Sequence, residues 1–317
     1  MTKGMLDMMR AVVGRHRHLN IRFTINARYE IALWERPGLW MAAEQRMALV
    51  EDLRVVARAG QRGKAVPEYG VLTGEQADLE TRVITVAYHR EHGHPVGFTA
   101  MSYLDIPMGD RVESVLHLGL TFIDPDYQRH GLPSLLYGAA GFLLLFKSGL
   151  RGFWVSNVTQ IPAIVGMFSE NYATVYPHYD HQKRQSFTHL MLARQIMRHH
   201  RSVFGVGEDA GFDEARQIIT DAYTGGSDEL KKSWAAVPRH RNDQVNQYCA
   251  RWLDYDRGDD FLQLGYASFG STMRFLGTRL PQGSVPQLFF QAILLFSLAV
   301  VMPVVQWLVP PLPEEAS

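Results

Sequence analysis

The stretch SVLHLGLTFIDPDYQRHGLPSLLY, Ser114 to Tyr137, passes from an apolar strand through a turn and a glycine loop into an apolar helix. Val115, Leu116, Leu118, Leu120, Phe122 and Ile123 make the strand. Asp124-Pro125-Asp126 ends it, because proline removes a backbone donor and fixes φ. Gln128-Arg129-His130-Gly131-Leu132-Pro133-Ser134 forms the loop, and Leu135 to Phe146 continues as a mostly apolar helix. This order is a physical device for holding an anion. The first helical turn carries N–H groups without intrahelical partners, and the helix dipole adds partial positive charge there. Gly131 lets a ligand approach the backbone with no Cβ in the way. Arg129 and His130 add positive charge, the second only when protonated.

Outward from this stretch, composition sets bounds. The 317 residues are 46% hydrophobic and 20% charged, which predicts a chain folded around a substantial core. Lys+Arg and Asp+Glu both number 32, so no global basic field points to nucleic acid. Cys249 is the one cysteine, which excludes an internal disulfide and a thiolate zinc cluster. No long apolar segment precedes a small-residue cleavage site near Met1, so no secretory signal is expected.

The flanking chain alternates helix and strand patterns. Met5 to Val13 reads as a short helix, Asn20 to Asn26 as a strand, and Met41 to Ala59 as an amphipathic helix. Ala27 to Trp40 is irregular. Arg82 to Tyr88 and Val96 to Leu104 are strands that meander, through glycine-bearing turns, into the opening strand. Gly152 to Asn157 is a further buried strand and Ile161 to Asn171 a helix. Tyr172 to Tyr179 and Ser186 to Leu192 read as strands, the second with a helical alternative running into Arg198. The expected class is α/β, with a mixed, mostly antiparallel sheet flanked by helices.

The loop resembles the acyl-CoA-binding motif of the GNAT N-acetyltransferase superfamily, Gln/Arg-x-x-Gly-x-Gly/Ala after a strand. Here it reads Gln128-Arg129-His130-Gly131-Leu132-Pro133, with Pro133 where the family has Gly or Ala. Asn157 at a strand end is a second point of likeness. The family's later Tyr-x-x-x-Gly-Phe is poorly preserved in Met167 to Tyr172, so its tyrosine acid does not carry over to Phe168. The resemblance covers roughly residues 20–195. It implies a GNAT-like sheet with acyl-CoA between parted strands and direct attack by an amine, with no covalent enzyme intermediate. Phe122 and Ile123 would then offer backbone groups to the thioester. Gln128, Arg129, His130, Gly131, Leu132 and Ser134 would hold the pyrophosphate of acetyl-CoA or a longer acyl-CoA.

An amine acceptor must lose a proton and the thiolate must gain one. Glu113 and His117 share one face of the strand and are candidate bases; solvation at a strand start and a structural histidine are the alternatives. Tyr172 and Tyr176 are candidate proton donors, or core aromatics. His89, His92 and His94 crowd a Gly-Pro turn and His199-His200 form a pair, but no His-Glu-x-x-His helix motif appears. No metal is expected, and the first group reads as an exposed hairpin tip.

Three segments are expected: a GNAT-like unit over 1–204, a helical extension over 205–288 and an apolar helix over 289–309. In the extension, Phe212 to Tyr223, Asn242 to Tyr255 and Phe261 to Leu276 read as helices. Phe289 to Val309 lacks charge, and as a helix it would reach about 31 Å, close to a bilayer's apolar thickness. It reads as a C-terminal anchor holding the protein to the cytoplasmic face of a membrane, with a buried helix or oligomer contact as the alternative. Two functions follow: a membrane-bound acyltransferase acting on an amine-bearing small molecule, lipid or protein, or a non-catalytic acyl-CoA- or partner-binding sensor or scaffold. Nucleic acid is not an expected partner.

Overall fold

The computed structural model describes residues 18–63, 65–67, 70–128, 130–281 and 283–297. The expected helix over Met5 to Val13 lies outside them, as do Arg129 and most of the apolar C-terminal stretch. The architecture is mixed α/β, built on one mostly antiparallel 11-stranded sheet.

Strands β1 (Asn20–Thr24), β2 (Tyr29–Glu35), β3 (Arg82–His89), β4 (Pro95–Met108) and β5 (Arg111–Leu118) form an antiparallel meander. β2 lies in the region that looked irregular; its burial is nearly continuous, so it shows no alternation to read. β6 (Thr121–Ile123) continues β5, and β7 (Phe153–Thr159) runs parallel to β5. The parallel pair requires a crossover, which helix α3 (Leu132–Lys147) supplies. Helix α1 (Ala43–Gln61) covers β2 to β4 on one face through Leu49, Val50, Leu53, Val56 and Ala57. On the opposite face α3 buries Leu132, Leu135, Leu136, Ala139, Phe142 and Leu143.

After β7 come α4 (Pro162–Asn171) and β8 (Ala173–Tyr176). Ser186 to Leu192 takes the helical alternative, as the start of α5 (Phe187–His199). A capping box fixes that start: Ser186 and His189 exchange side-chain to backbone hydrogen bonds.

The extension is not all helical. The helix expected over Phe212 to Tyr223 is instead the hairpin β9 (Gly211–Asp213) and β10 (Ile218–Thr220). The Asp213 carboxylate accepts from the N–H groups of Ala215 and Arg216, bending the chain where a helix would begin. The helix expected over Phe261 to Leu276 divides into strand β11 (Asp260–Ala267) and a helix, α7 (Phe269–Arg279). β11 pairs with β7 from Phe261 to Ala267 and is buried on both faces, so its apolar run carries no strand period. A Cβ on Gly265 would lie 2.9 Å from the Tyr172 side chain, so the strand packs closely under α4 only with glycine there. Two helices complete the order: α2 (Gln76–Leu79), just before β3, and α6 (Asp243–Trp252), between β10 and β11 and close to the helix expected over Asn242 to Tyr255.

The membrane-anchor expectation is corrected. Helix α8 (Ser284–Phe296) is 13 residues, about 20 Å, and no helix among the described residues is long and apolar enough to cross a membrane. One face of it packs on the core: Leu288 and Ala292 are fully buried and the Phe289 ring stands 5.1 Å from that of Phe142 on α3, while Phe290 and Ile293 are exposed.

Candidate active site in a divided strand

The central strand changes register at one point. Ser102 of β4 faces His117 of β5, but Thr99 faces Thr121 of β6, so the latter strand carries one extra residue. This is a β-bulge at Gly119-Leu120. A Cβ on Gly119 would stand 2.4 Å from the Ala100 carbonyl oxygen, so the bulge requires glycine. β7 follows β5 only as far as Leu118 opposite Asn157. Beyond that, β6 pairs with β4 alone among the described strands, and a cleft of about 610 Å³ opens between β6 and β7.

One end of the cleft reaches the glycine loop. Gln128, Pro133 and Ser134 line it. Gly131 caps α3 with φ of 71°, in the left-handed region that glycine tolerates. Leu132 is the first helical residue and Pro133 the second, so the N–H groups of Leu132 and Ser134 remain for an anion while Pro133 offers none. His130 is exposed, with Nδ1 3.2 Å from the Tyr127 carbonyl. The Asp124 carboxylate accepts from the Asp126 N–H and caps the turn.

The backbone groups aimed into the cleft differ from those expected. Ala100 N–H donates to Leu120 and Asp124 N–H to Val96, with Phe122 opposite Phe98 between them. By strand alternation, Phe122 therefore spends its N–H and C=O on β4, and those of Thr121 and Ile123 face the cleft.

Of the candidate catalytic residues, only His117 stands on the cleft wall. It is buried, its Nδ1 3.1 Å from Ser156 Oγ and its ring against Phe204. Burial, and then the nearby Arg82 guanidinium, push its pKa down to about 3, so the ring is neutral and a weak base. Arg82, also on the wall, is held by the Asp78 carbonyl at 2.8 Å and by Ser102. Glu113 precedes His117 by four residues, about 13 Å along the strand, and does not line the cleft. Tyr172 is partly buried, packed against Phe168 beside a separate small cavity, and desolvation raises its pKa. Tyr176 also lies off the cleft, its hydroxyl donating to the Ala215 carbonyl.

Two wall residues were not among the candidates. Tyr137, on the second turn of α3, donates to the Gly119 carbonyl at 3.3 Å and sits 2.5 Å from Thr121 Oγ1. Burial pushes its pKa up to about 12, so it keeps its proton. It closes the strand-loop-helix stretch Ser114 to Tyr137, and no role was read for it there. Asp260, at the first position of β11, is buried on the far wall and accepts from the Tyr223 hydroxyl at 3.0 Å. Burial pushes its pKa up to about 7. No sequence signal marked it, because the segment read as a helix. Asn157 completes the divide, and its buried side-chain nitrogen has no hydrogen-bond partner among the described residues.

No family model and no curated protein matches the chain. A solved structure of a mutant BH1408 protein from Bacillus halodurans is similar over 29% of this chain and 68% of that one, at 14% identity and a TM-score of 0.24. A tetramutant of the same protein aligns over 35% and 71%, at 14% identity and a TM-score of 0.22.

Proposed function

We propose that the protein is an acyltransferase of the GNAT type, moving an acyl group from acyl-CoA to an amine by direct attack. The observation that carries this reading is the divided strand: a bulge at Gly119-Leu120 parts β6 from β7, and the start of α3 stands at the mouth of the gap. On this reading the segment over 1–204 holds the donor and the segment over 205–288 supplies the far wall. Gln128, Gly131, Leu132 and Ser134 bind the pyrophosphate, with His130 beside them and Arg129 in the same loop. The backbone of Thr121 and Ile123 meets the thioester oxygen. Asp260 takes the proton of the acceptor, and Tyr137 protonates the departing thiolate. The cleft volume falls in the range usual for small-molecule sites.

A second reading, acyl-CoA binding without turnover, is favoured by Pro133, which withdraws a donor from the cradle, and by the weak basicity of His117. Calorimetric titration with acetyl-CoA and longer acyl-CoAs tests what both readings share; no binding by any of them sinks both. Thiol release with a panel of amines then separates them.

A further inference from the structure

We propose that the β3–β4 hairpin tip is a binding site for a borderline divalent metal ion of the zinc class, held by His89, Glu91 and His92. Their ligand atoms all lie within 4.8 Å of one another. The backbone builds this cluster. His89 N–H donates to the His94 carbonyl at 3.0 Å, Gly93 N–H donates back to His89 at 2.8 Å, and Gly93 turns at φ of 70°. The His89 and His92 rings are stacked, with centroids 4.9 Å apart and 13° between planes. His94 stands 5.9 Å from each. An exposed hairpin tip has no need of three imidazoles stacked side by side.

A second observation is independent of that spacing. His89 Nδ1 is buried and has no hydrogen-bond partner among the described residues, a costly state for a ring nitrogen. Two imidazoles and one carboxylate are the mixed nitrogen and oxygen set that zinc accepts, with solvent in its fourth position; calcium and magnesium prefer oxygen alone. Ligands on a tetrahedral ion sit roughly 3.3 Å apart given metal–ligand bonds near 2.0 Å, so the cluster closes by on the order of 1.5 Å. Glu91 and His92 are exposed and can make that movement by changing rotamer. His94 Nε2 meets the Tyr127 hydroxyl at 3.2 Å, which joins the hairpin to the turn before Gln128.

The test uses the full chain stripped with a chelator. Zn²⁺ titrated by calorimetry at neutral pH should bind at one site per chain, and Co²⁺ should give the visible ligand-field bands of a four-coordinate ion. His92→Ala and Glu91→Gln change exposed side chains, so folding should survive, and each should weaken Zn²⁺ by at least tenfold. Absence of Zn²⁺ binding at micromolar concentration overturns the proposal, and so does unchanged affinity in His92→Ala, which would put the ion elsewhere.

Discussion

The Tyr223 hydroxyl donates to Asp260 Oδ1 at 3.0 Å, and both side chains stand on the wall of the cleft. The neighbouring Asp259 is clamped by Arg257 at 2.7 and 2.8 Å. Asp260 makes no ion pair among the described residues, so nothing but the Tyr223 hydroxyl offsets its burial. Its folded pKa of about 7 lies above the unfolded carboxylate value of about 3.9. The folded state therefore holds this proton more tightly, and stability is lost as pH rises from about 4 through 7. Asp260→Asn should stabilise the protein at pH 8 by up to about 4 kcal/mol and have little effect at pH 4. Denaturant unfolding at the two pH values checks this; an equal effect at both would remove the raised pKa.

The same carboxylate predicts the pH profile of turnover. If Asp260 accepts the amine's proton, the rate should rise through about pH 7 as the group ionises. Asp260→Asn should lower kcat/KM by about 10²- to 10⁴-fold while leaving the Kd for acyl-CoA unchanged. A variant that keeps the wild-type profile would place the base elsewhere on the wall.

Gly131 combines a left-handed backbone with the start of a 16-residue helix. Gly131→Ala should cost about 1 to 2 kcal/mol of stability from the positive φ alone. Gly131→Asp adds a negative charge at the cradle and should abolish acyl-CoA binding, whereas the alanine variant retains part of it. Calorimetry on the two variants separates strain from electrostatics, and equal losses would mean that the loop acts only as a turn.

His117 gives the opposite sign from Asp260. Its folded pKa of about 3 lies below the unfolded value of about 6.5. Its neutral form is matched to the fold above pH 6.5, and stability falls as pH drops from there toward 3. Between pH 6.5 and pH 5 this one group should remove about 2 kcal/mol. His117→Gln, which can still meet Ser156, should flatten that arm of the stability curve in urea titrations. If the arm keeps its slope, another group carries the acid sensitivity.

The strand-loop-helix from Ser114 to Tyr137 was legible because each signal is local: apolar strand residues, Asp124-Pro125, Gly131, then an apolar helix. Even there the bulge was hidden, since Gly119-Leu120 gains its extra residue only opposite Ala100. That displacement moved the cleft-facing groups from the pair Phe122 and Ile123 to Thr121 and Ile123. β11 was illegible for a tertiary reason. Its residues are buried on both faces between β7 and β10, which erases the period of two, and Asp260 went unseen with it. The apolar stretch at Phe289 failed differently: hydrophobicity reports burial, and it does not say whether lipid or protein does the burying.

That last point yields a prediction for α8. Leu288 is fully buried against the core that α3 dominates, while Ile293 is 60% exposed on the same helix. If protein packing, rather than intrinsic propensity, holds α8 in place, the two positions must differ sharply. Leu288→Ala should destabilise the chain by about 2 to 5 kcal/mol, from lost transfer energy and the cavity left behind. Ile293→Ala should change stability by no more than about 0.5 kcal/mol. Chemical denaturation of both variants decides it. A near-zero effect at Leu288 would mean that α8 does not dock on α3, and the apolar segment would need another explanation.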